Sequence, residues 1–332
     1  MPSARTHPAT YRFSIEQITA AAETLIYPVM PPTPQYVWPL LSARAGGEVW
    51  VKHENHTPVG AFKVRGGLVW VGRRASELVS GPGLIAATRG NHGQSFAFAA
   101  RRHGVAVTMV VPGDNSKEKN AAMRALGAQL IVHGDDFDAA LAHARRLADE
   151  RGLTFAPSLH PDLSLGIASY ALELFHGAGP LAAVYVPIGQ GSGIAAVIAA
   201  RDALGLRTEV VGAVSARYPA YAESVRAGHP VTTPPGATTI ADGVACRTPN
   251  PEGLAVIRDG AARVVVVAED DIRAAMRHYF TDTHQVAEGA GAVALAALLA
   301  DRARPGGPQG PVAVVLSGGN VDRDLFAGVL AE

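Results

Sequence analysis

The 332-residue sequence has one cysteine, few charges and almost no lysine. A lone Cys246 excludes an intramolecular disulfide and any metal site built from several cysteines. Charged residues make up 17% of the chain against 48% hydrophobics, which excludes a disordered polymer and leaves ample material for a core. Neither sign of charge dominates, with 29 basic and 29 acidic residues, so no nucleic-acid or anionic-membrane partner is implied. Long hydrophobic runs are missing too: AVALAALLA (292–300) falls well short of the roughly 20 apolar residues that span a bilayer. The opening MPSARTHPATYRF has no apolar leader core. A cytoplasmic protein with no membrane partner is expected. Among the 29 basic residues only four are lysine, so each lysine stands where arginine was passed over.

What is present alternates. The runs EVWVK (48–52), GLIAAT (83–88), VAVTMVV (105–111), AQLIV (128–132), AAVYVP (182–187), TEVVGAV (208–214), ARVVVVA (262–268) and PVAVVLS (311–317) read as strands. Several are apolar without a break, the pattern of strands covered on both faces, as in parallel α/β sheets. Ala-rich stretches such as 92–103 and 115–126 supply crossover helices between them. The stretch MPPTPQ (30–35) reads as an extended, proline-stiffened lead-in.

In such folds ligands bind where strands end and helices begin, and four of these junctions carry unusual chemistry. In PIGQGSGIAA (187–196) glycines free the backbone at a helix start, where successive N–H groups and Ser192 suit an anion. A dinucleotide fingerprint would need glycine where Ile194 sits, although Glu209, twenty residues after Gly189, keeps that reading open. A plain tight turn is the competing explanation. TRGNHGQS (88–95) offers Thr88, Asn91 and Gln94 beside helix N–H donors, suited to a small carboxylate, or to mere capping. In TPVGAFKVRGG (57–67), Lys63 lies between glycines next to Phe62. A lysine turns nucleophilic when apolar surroundings or a nearby cation disfavour its ammonium, influences that Phe62 and Arg65 are placed to exert; arginine cannot lose its proton for such chemistry. LSGGN (316–320) ends the last strand and sets the neutral Ser317 at the sheet's C-terminal edge.

Together, and in this order, the four loops resemble the fold-type II pyridoxal 5′-phosphate (PLP) enzymes, in particular the threonine/serine dehydratase and serine racemase branch. AFKVRGG is similar to that family's SFKxRG around a Schiff-base lysine, TRGNHGQS to its SSGNHGQ, IGQGSGIA to its VGGGGLIAG, and LSGGN to its serine at the pyridine nitrogen. The likeness runs from about Thr33 to the C-terminus. It implies an α/β fold of the tryptophan synthase β type, with two open, twisted, mostly parallel sheets flanked by helices. A small domain (53–155) would be inserted into a large one (1–52 and 156–332). It further implies that Lys63 anchors PLP and acts as the base, beside Phe62, and that Asn91 bonds the cofactor's 3′-oxygen. Gly189, Gln190, Gly191, Ser192 and Gly193 would cradle the phosphate, and Ser317 would face the ring nitrogen. Thr88, Arg89, Gly90, Asn91 and His92 would hold the substrate. Gly243 and Glu288 match further family positions beside the cofactor, Glu288 alternatively being an acid at a helix cap. The implied reaction is β-elimination from a β-hydroxy-α-amino acid, giving a 2-oxo acid and ammonia, by an enzyme whose relatives are commonly homodimers.

The sequence departs from the pattern in places. Gln190 and Ser192 replace glycines of the phosphate loop. Val214 and Ala220 replace the acids of the family's divalent-cation site, so no activating metal is expected there. Arg89 replaces the serine that acts as acid and base in racemising relatives, so little racemisation is expected. Its guanidinium would meet a second carboxylate (3-hydroxyaspartate), stack on an aromatic ring (phenylserine), or turn outward onto a structural acid. The chain ends about fifteen residues after Ser317, so no regulatory domain is expected to follow. His53 and His56 lack the helical spacing of a zinc motif, and Cys246 reads as incidental in a polar loop. Two other classes compete: a nicotinamide-dependent oxidoreductase using GQGSG and Glu209, and a non-catalytic amino-acid-binding protein.

Overall fold

All eight apolar runs form strands, most of them buried on both faces, with the edge strand at Gln129–Val132 left partly exposed. The structure, a computed structural model, describes residues 8–332; the first seven residues of the stretch read for a leader lie outside it. The strands are β1 (Gln35–Val37), β2 (Val49–His53), β3 (Leu84–Ala87), β4 (Val107–Val111), β5 (Gln129–Val132), β6 (Thr154–Phe155), β7 (Ala183–Pro187), β8 (Glu209–Ser215), β9 (Arg263–Val267) and β10 (Val312–Leu316). One sheet has the order β1-β2-β10-β7-β8-β9 and the other β5-β4-β3-β6. All pairings are parallel except β1 with β2, where Tyr36 faces Val51. β10 lies at the middle of the larger sheet, with Val314 between Val51 and Tyr185.

Two strands were not anticipated. β1 follows the proline-stiffened lead-in directly and pairs on one side only, the edge position that flanking prolines permit. β6 has two residues, too few to show a pattern. The expected helices appear as Asn91–Arg101 and Lys117–Ala125.

One apolar core is shared by both sheets and includes Val64, Phe96, Leu163, Val186 and Val315. A second, with Tyr185, Val211 and Leu295, fills the far side of the larger sheet, and a third, with Ile85, Val110 and Ala144, covers the outer face of the smaller. The helix Pro161–Gly177 packs against both the Lys63–Arg73 helix and the Ser192–Ala203 helix, so it ties the sheets together. Parallel strands in both sheets end toward a common cleft, and the chemistry collects there.

Candidate active site

Four helices begin at the cleft, and three of the predicted residues are the first residues of theirs. Lys63 opens the helix Lys63–Arg73, Asn91 opens Asn91–Arg101 and Ser192 opens Ser192–Ala203. Glu288 immediately precedes the fourth, Gly289–Arg302, and Ser317 follows β10. The cleft is an open, concave site between the two sheets, as small-molecule sites commonly are. Its walls include every predicted site residue, from Phe62 to Ser317. The backbone N–H of Phe62 donates to the Ser317 carbonyl over 3.0 Å, pinning the lysine loop to the end of β10.

Lys63 is half-buried in this cleft. Burial pushes its amine down to about 8, against a smaller opposing pull from Glu288; the positive end of its own helix acts in the same direction as burial. Its Nζ lies 4.9 Å from the centre of the Phe62 ring, a contact that favours the ammonium and so opposes the role first read for Phe62. Arg65 also corrects that reading. Its side chain is fully buried on the other side of the helix, bonded to Glu54 and Glu173, and it has no part in the shift at Lys63.

The glycine loop is built for an anion. Among the described residues, the backbone N–H groups from Gln190 to Ile194 donate to no protein acceptor, while Ile188 still bonds to Ala213 in the sheet. A Cβ at Gly189 would lie 2.5 Å from the carbonyl oxygen of Gly243, so the close approach of these two loops requires glycine at 189. The helix dipole and five free amides suit a phosphate. Gln190 and Ser192 do not disturb this, because the backbone supplies the donors. Ser317, 5% exposed, has a hydroxyl with no partner among the described residues, and as a neutral group it suits a ring nitrogen. Phosphate cradle, desolvated amine and neutral hydroxyl in one cleft fit PLP.

On the opposite wall, the hydroxyl oxygen of Thr88 accepts from the N–H of Gly90 (2.9 Å) and of Gly93 (3.0 Å). Thr88 is thus spent largely on shaping the loop. The N–H groups of Asn91 and His92 have no protein acceptor among the described residues and are the donors left for a carboxylate. Burial and Lys63 push the His92 imidazole down to about 3, keeping it neutral. The Asn91 amide is held at both ends: its oxygen accepts from Asn320 (2.9 Å) and its nitrogen donates to Glu288 (2.5 Å). Arg89 donates to Asp114 over 2.8 Å at the cleft rim.

Several cleft residues escaped sequence reasoning. Lys119 reaches in from the small sheet to Asp242 (2.7 Å) and Glu288 (3.0 Å). The scarcity of lysine that drew attention to Lys63 applied equally to Lys119. Asn320 stood within the quoted LSGGN without a role. Cys246 is buried and lines the cleft, its thiol pushed up to about 12 by burial, so the polar-loop reading is corrected. Glu209 begins β8, at the opposite end of the sheet from the glycine loop, and pairs with Arg263. The dinucleotide reading thereby loses its ribose ligand.

Comparison with known proteins agrees with this geometry. Residues 26–318 match the family described as pyridoxal-phosphate dependent enzymes. The L-threonine ammonia-lyase of Thermotoga maritima is 33% identical over 288 residues, covering 86% of this chain and 71% of that one. Maize serine racemase superposes with a TM-score of 0.87 at 25% identity, covering 96% and 97% of the two chains. The processed form of threonine deaminase isoform 2 from Solanum lycopersicum superposes with a TM-score of 0.86 at 27% identity, covering 95% and 87%. With a desolvated lysine, an amide-lined anion cradle and a neutral serine in one cleft, the chain belongs to the pyridoxal-phosphate-dependent enzyme family, of fold type II, and PLP is its cofactor.

Proposed function

We propose that this enzyme is a hydroxy-amino-acid ammonia-lyase: it eliminates water from a β-hydroxy-α-amino acid, and hydrolysis of the resulting imine takes a water back, releases ammonia and leaves a 2-oxo acid. The observation that carries the reading is the Lys63 amine, poised near neutrality at the mouth of its helix and facing free amides on two walls. PLP, when bound, supplies the electron sink that makes a Cα–H bond breakable. Lys63 holds the cofactor at rest and, once released, its Nζ takes the Cα proton; an amine near pH 8 suits that exchange at physiological pH. The amides of Gln190–Ile194 hold the phosphate and those of Asn91 and His92 the substrate carboxylate, orienting the Cα–H bond toward Lys63. Ser317 offers the ring nitrogen a neutral partner, which favours prompt loss of a β-substituent over prolonged charge storage.

Threonine and serine are the first substrates of this reading, threonine supported by the named activities of the ammonia-lyase and deaminase relatives and serine by the likeness to serine racemase. Of the wider alternatives, phenylserine is favoured over 3-hydroxyaspartate. Arg89 is already engaged by Asp114, and Phe137, Val244 and Cys246 give the cleft an apolar flank. Residues 53–155 form the small domain, with 1–52 and 156–332 the large. A cytoplasmic homodimer completes the reading. The exposed Tyr36 (52%) and Leu40 (61%) near the edge strand offer apolar surface to a second copy, and no described helix is long and apolar enough to cross a membrane.

The test is the visible spectrum of purified protein, before and after borohydride, with Lys63→Ala alongside. The expected result is a yellow band that borohydride abolishes and the variant lacks, with ammonia and 2-oxo acid released from threonine, serine or phenylserine. A colourless protein that takes up no added PLP would overturn the reading; a yellow protein that binds these amino acids without releasing ammonia would favour the binding-protein alternative.

A further inference from the structure

The cleft contains a second lysine, and its surroundings are unlike those of Lys63. Lys119 is the third residue of the helix Lys117–Ala125, on the small-sheet side, and its side chain is 7% exposed. Its stem crosses Gly90: a Cβ there would fall 2.4 Å from Cδ of Lys119, and the φ of +146° at Gly90 also demands glycine. The Nζ lies 2.7 Å from Asp242 Oδ2 and 3.0 Å from Glu288 Oε2. The other oxygen of Glu288 accepts from Asn91, whose own oxygen accepts from Asn320. Asp242, Lys119, Glu288, Asn91 and Asn320 thus form one chain that alternates between the large-sheet and small-sheet sides, joined by hydrogen bonds except at Lys119–Glu288, where the contact is an ion pair without hydrogen-bond alignment. The same helical turn is fastened at two further points: Ser116 donates to Asp322, and Glu118 accepts from the backbone N–H of Arg323.

Glu288 precedes its helix yet caps nothing; its carboxyl is turned wholly to Asn91 and Lys119. Burial pushes this carboxyl up, Lys119 opposes that, Asp242 adds to it, and Asn91 opposes it again. Lys63 is the remaining cation that faces Glu288. Without Lys119, two carboxyl groups would share a desolvated site and one would take up a proton. A protonated Glu288 is no longer an acceptor at every lone pair, and the Asn91 amide loses its fixed orientation. The ammonium also arrives from the small-sheet side, so the charge of Glu288 and the seating of Asn91 depend on how closely that side meets the large one.

We propose that Lys119 is a positioning residue for the elimination: its ammonium clamps Asp242 to Glu288, and the carboxylate so held fixes the Asn91 amide against the cofactor. The inference rests on the PLP reading above for its catalytic consequence, though not for the clamp itself. The test is a cycle of Lys119→Met, Glu288→Gln and the double variant, read in two ways. In the PLP-loaded enzymes, Lys119→Met is expected to lower kcat by roughly 10- to 100-fold, the usual cost of losing a supporting contact, with KM changed much less. Its visible band is expected to acquire a dependence on pH beyond that of the parent, and the double variant to be little worse than Glu288→Gln. In the cofactor-free proteins, unfolding midpoints are expected to be non-additive across the cycle. Losses in kcat that multiply, or a Lys119→Met enzyme that melts earlier but keeps its kcat and a band with the parent's pH dependence, would overturn the positioning role. Additive midpoints without cofactor would overturn the clamp. Failure of the parent protein to take up PLP would instead strike the proposed function, and the cofactor-free cycle would still judge the clamp.

Discussion

Lys63 and Arg65 occupy one helical turn two residues apart, and their surroundings separate chemistry from architecture. Arg65 points away from the cleft into a closed network. Its Nε and Nη2 donate to Glu54 at 2.8 and 3.0 Å, and its Nη1 and Nη2 to Glu173 at 2.7 and 3.0 Å. Ser169 and Thr33 accept from the same guanidinium, and Lys52 closes the circuit on Glu173 at 2.6 Å. Arg65 and Glu54 are wholly buried and Glu173 nearly so, with charges balanced and donors matched to acceptors. Lys63, on the cleft side, has no hydrogen-bond acceptor among the described residues and a depressed amine. A saturated buried cation holds its proton and its place; an unsaturated one is available to react. The cluster of Lys119, Asp242 and Glu288 lies between these extremes, paired but open to the cleft.

The contrast is broken most forcefully at Arg65. Arg65→Met removes every donor from Glu54 and Glu173 except Thr33, Tyr27 and Lys52, leaving an uncompensated buried charge. A loss of roughly 3–5 kcal/mol is expected, seen as a fall in the urea midpoint of cofactor-free protein at an unchanged slope. Whatever protein remains folded should still take up PLP and show the borohydride-sensitive band. A variant that keeps its midpoint but loses the band would show that Arg65 serves the cleft after all.

How much of this could be read from residues alone divides along the same line. Most strands were legible because burial on both faces writes an unbroken apolar run, as in Leu84–Ala87, Val107–Val111 and Val312–Leu316, and the loops because glycines, a rare lysine and a neutral serine recur at strand ends. Lys63, Asn91, the 189–193 loop and Ser317 do converge on one cleft. The direction of a side chain was not legible until the helix start was known: a helix that opens at Lys63 turns Arg65, two residues on, to the opposite face, where the Pro161–Gly177 helix brings Glu173 to meet it. Lys119 and Asp242 were missed because their meeting is set by how the two sheets approach, 123 residues apart in the chain. Arg89 was left with three destinations, and Asp114 decides among them at a loop whose fold no local pattern reveals.

A smaller effect, of opposite sign, sharpens the comparison at Lys63 itself. Its folded-state amine titrates at about 8, below its unfolded value of 10.5, so the folded protein disfavours the ammonium. Below pH 8 both states carry the proton and the folded state bears the full penalty. Between the two values the folded state sheds its proton first, the unfolded chain binds more protons, and stability rises with pH. Above 10.5 both are neutral and the penalty is gone. Lys63→Met removes the titrating group, so in cofactor-free protein it is expected to be the more stable form at pH 7, by roughly 1–3 kcal/mol. That advantage should shrink steadily as pH rises from 8 toward 10. Urea midpoints of the two proteins at pH 7 and pH 10 give the difference directly, since other titrating groups cancel between them. A difference that stays constant with pH would mean that the amine is well solvated in the cleft and that its reactivity comes from elsewhere than burial. A shrinking one would identify the missing partners of Lys63, which Arg65 has in full, as a standing cost in stability that the protein bears to keep a reactive base.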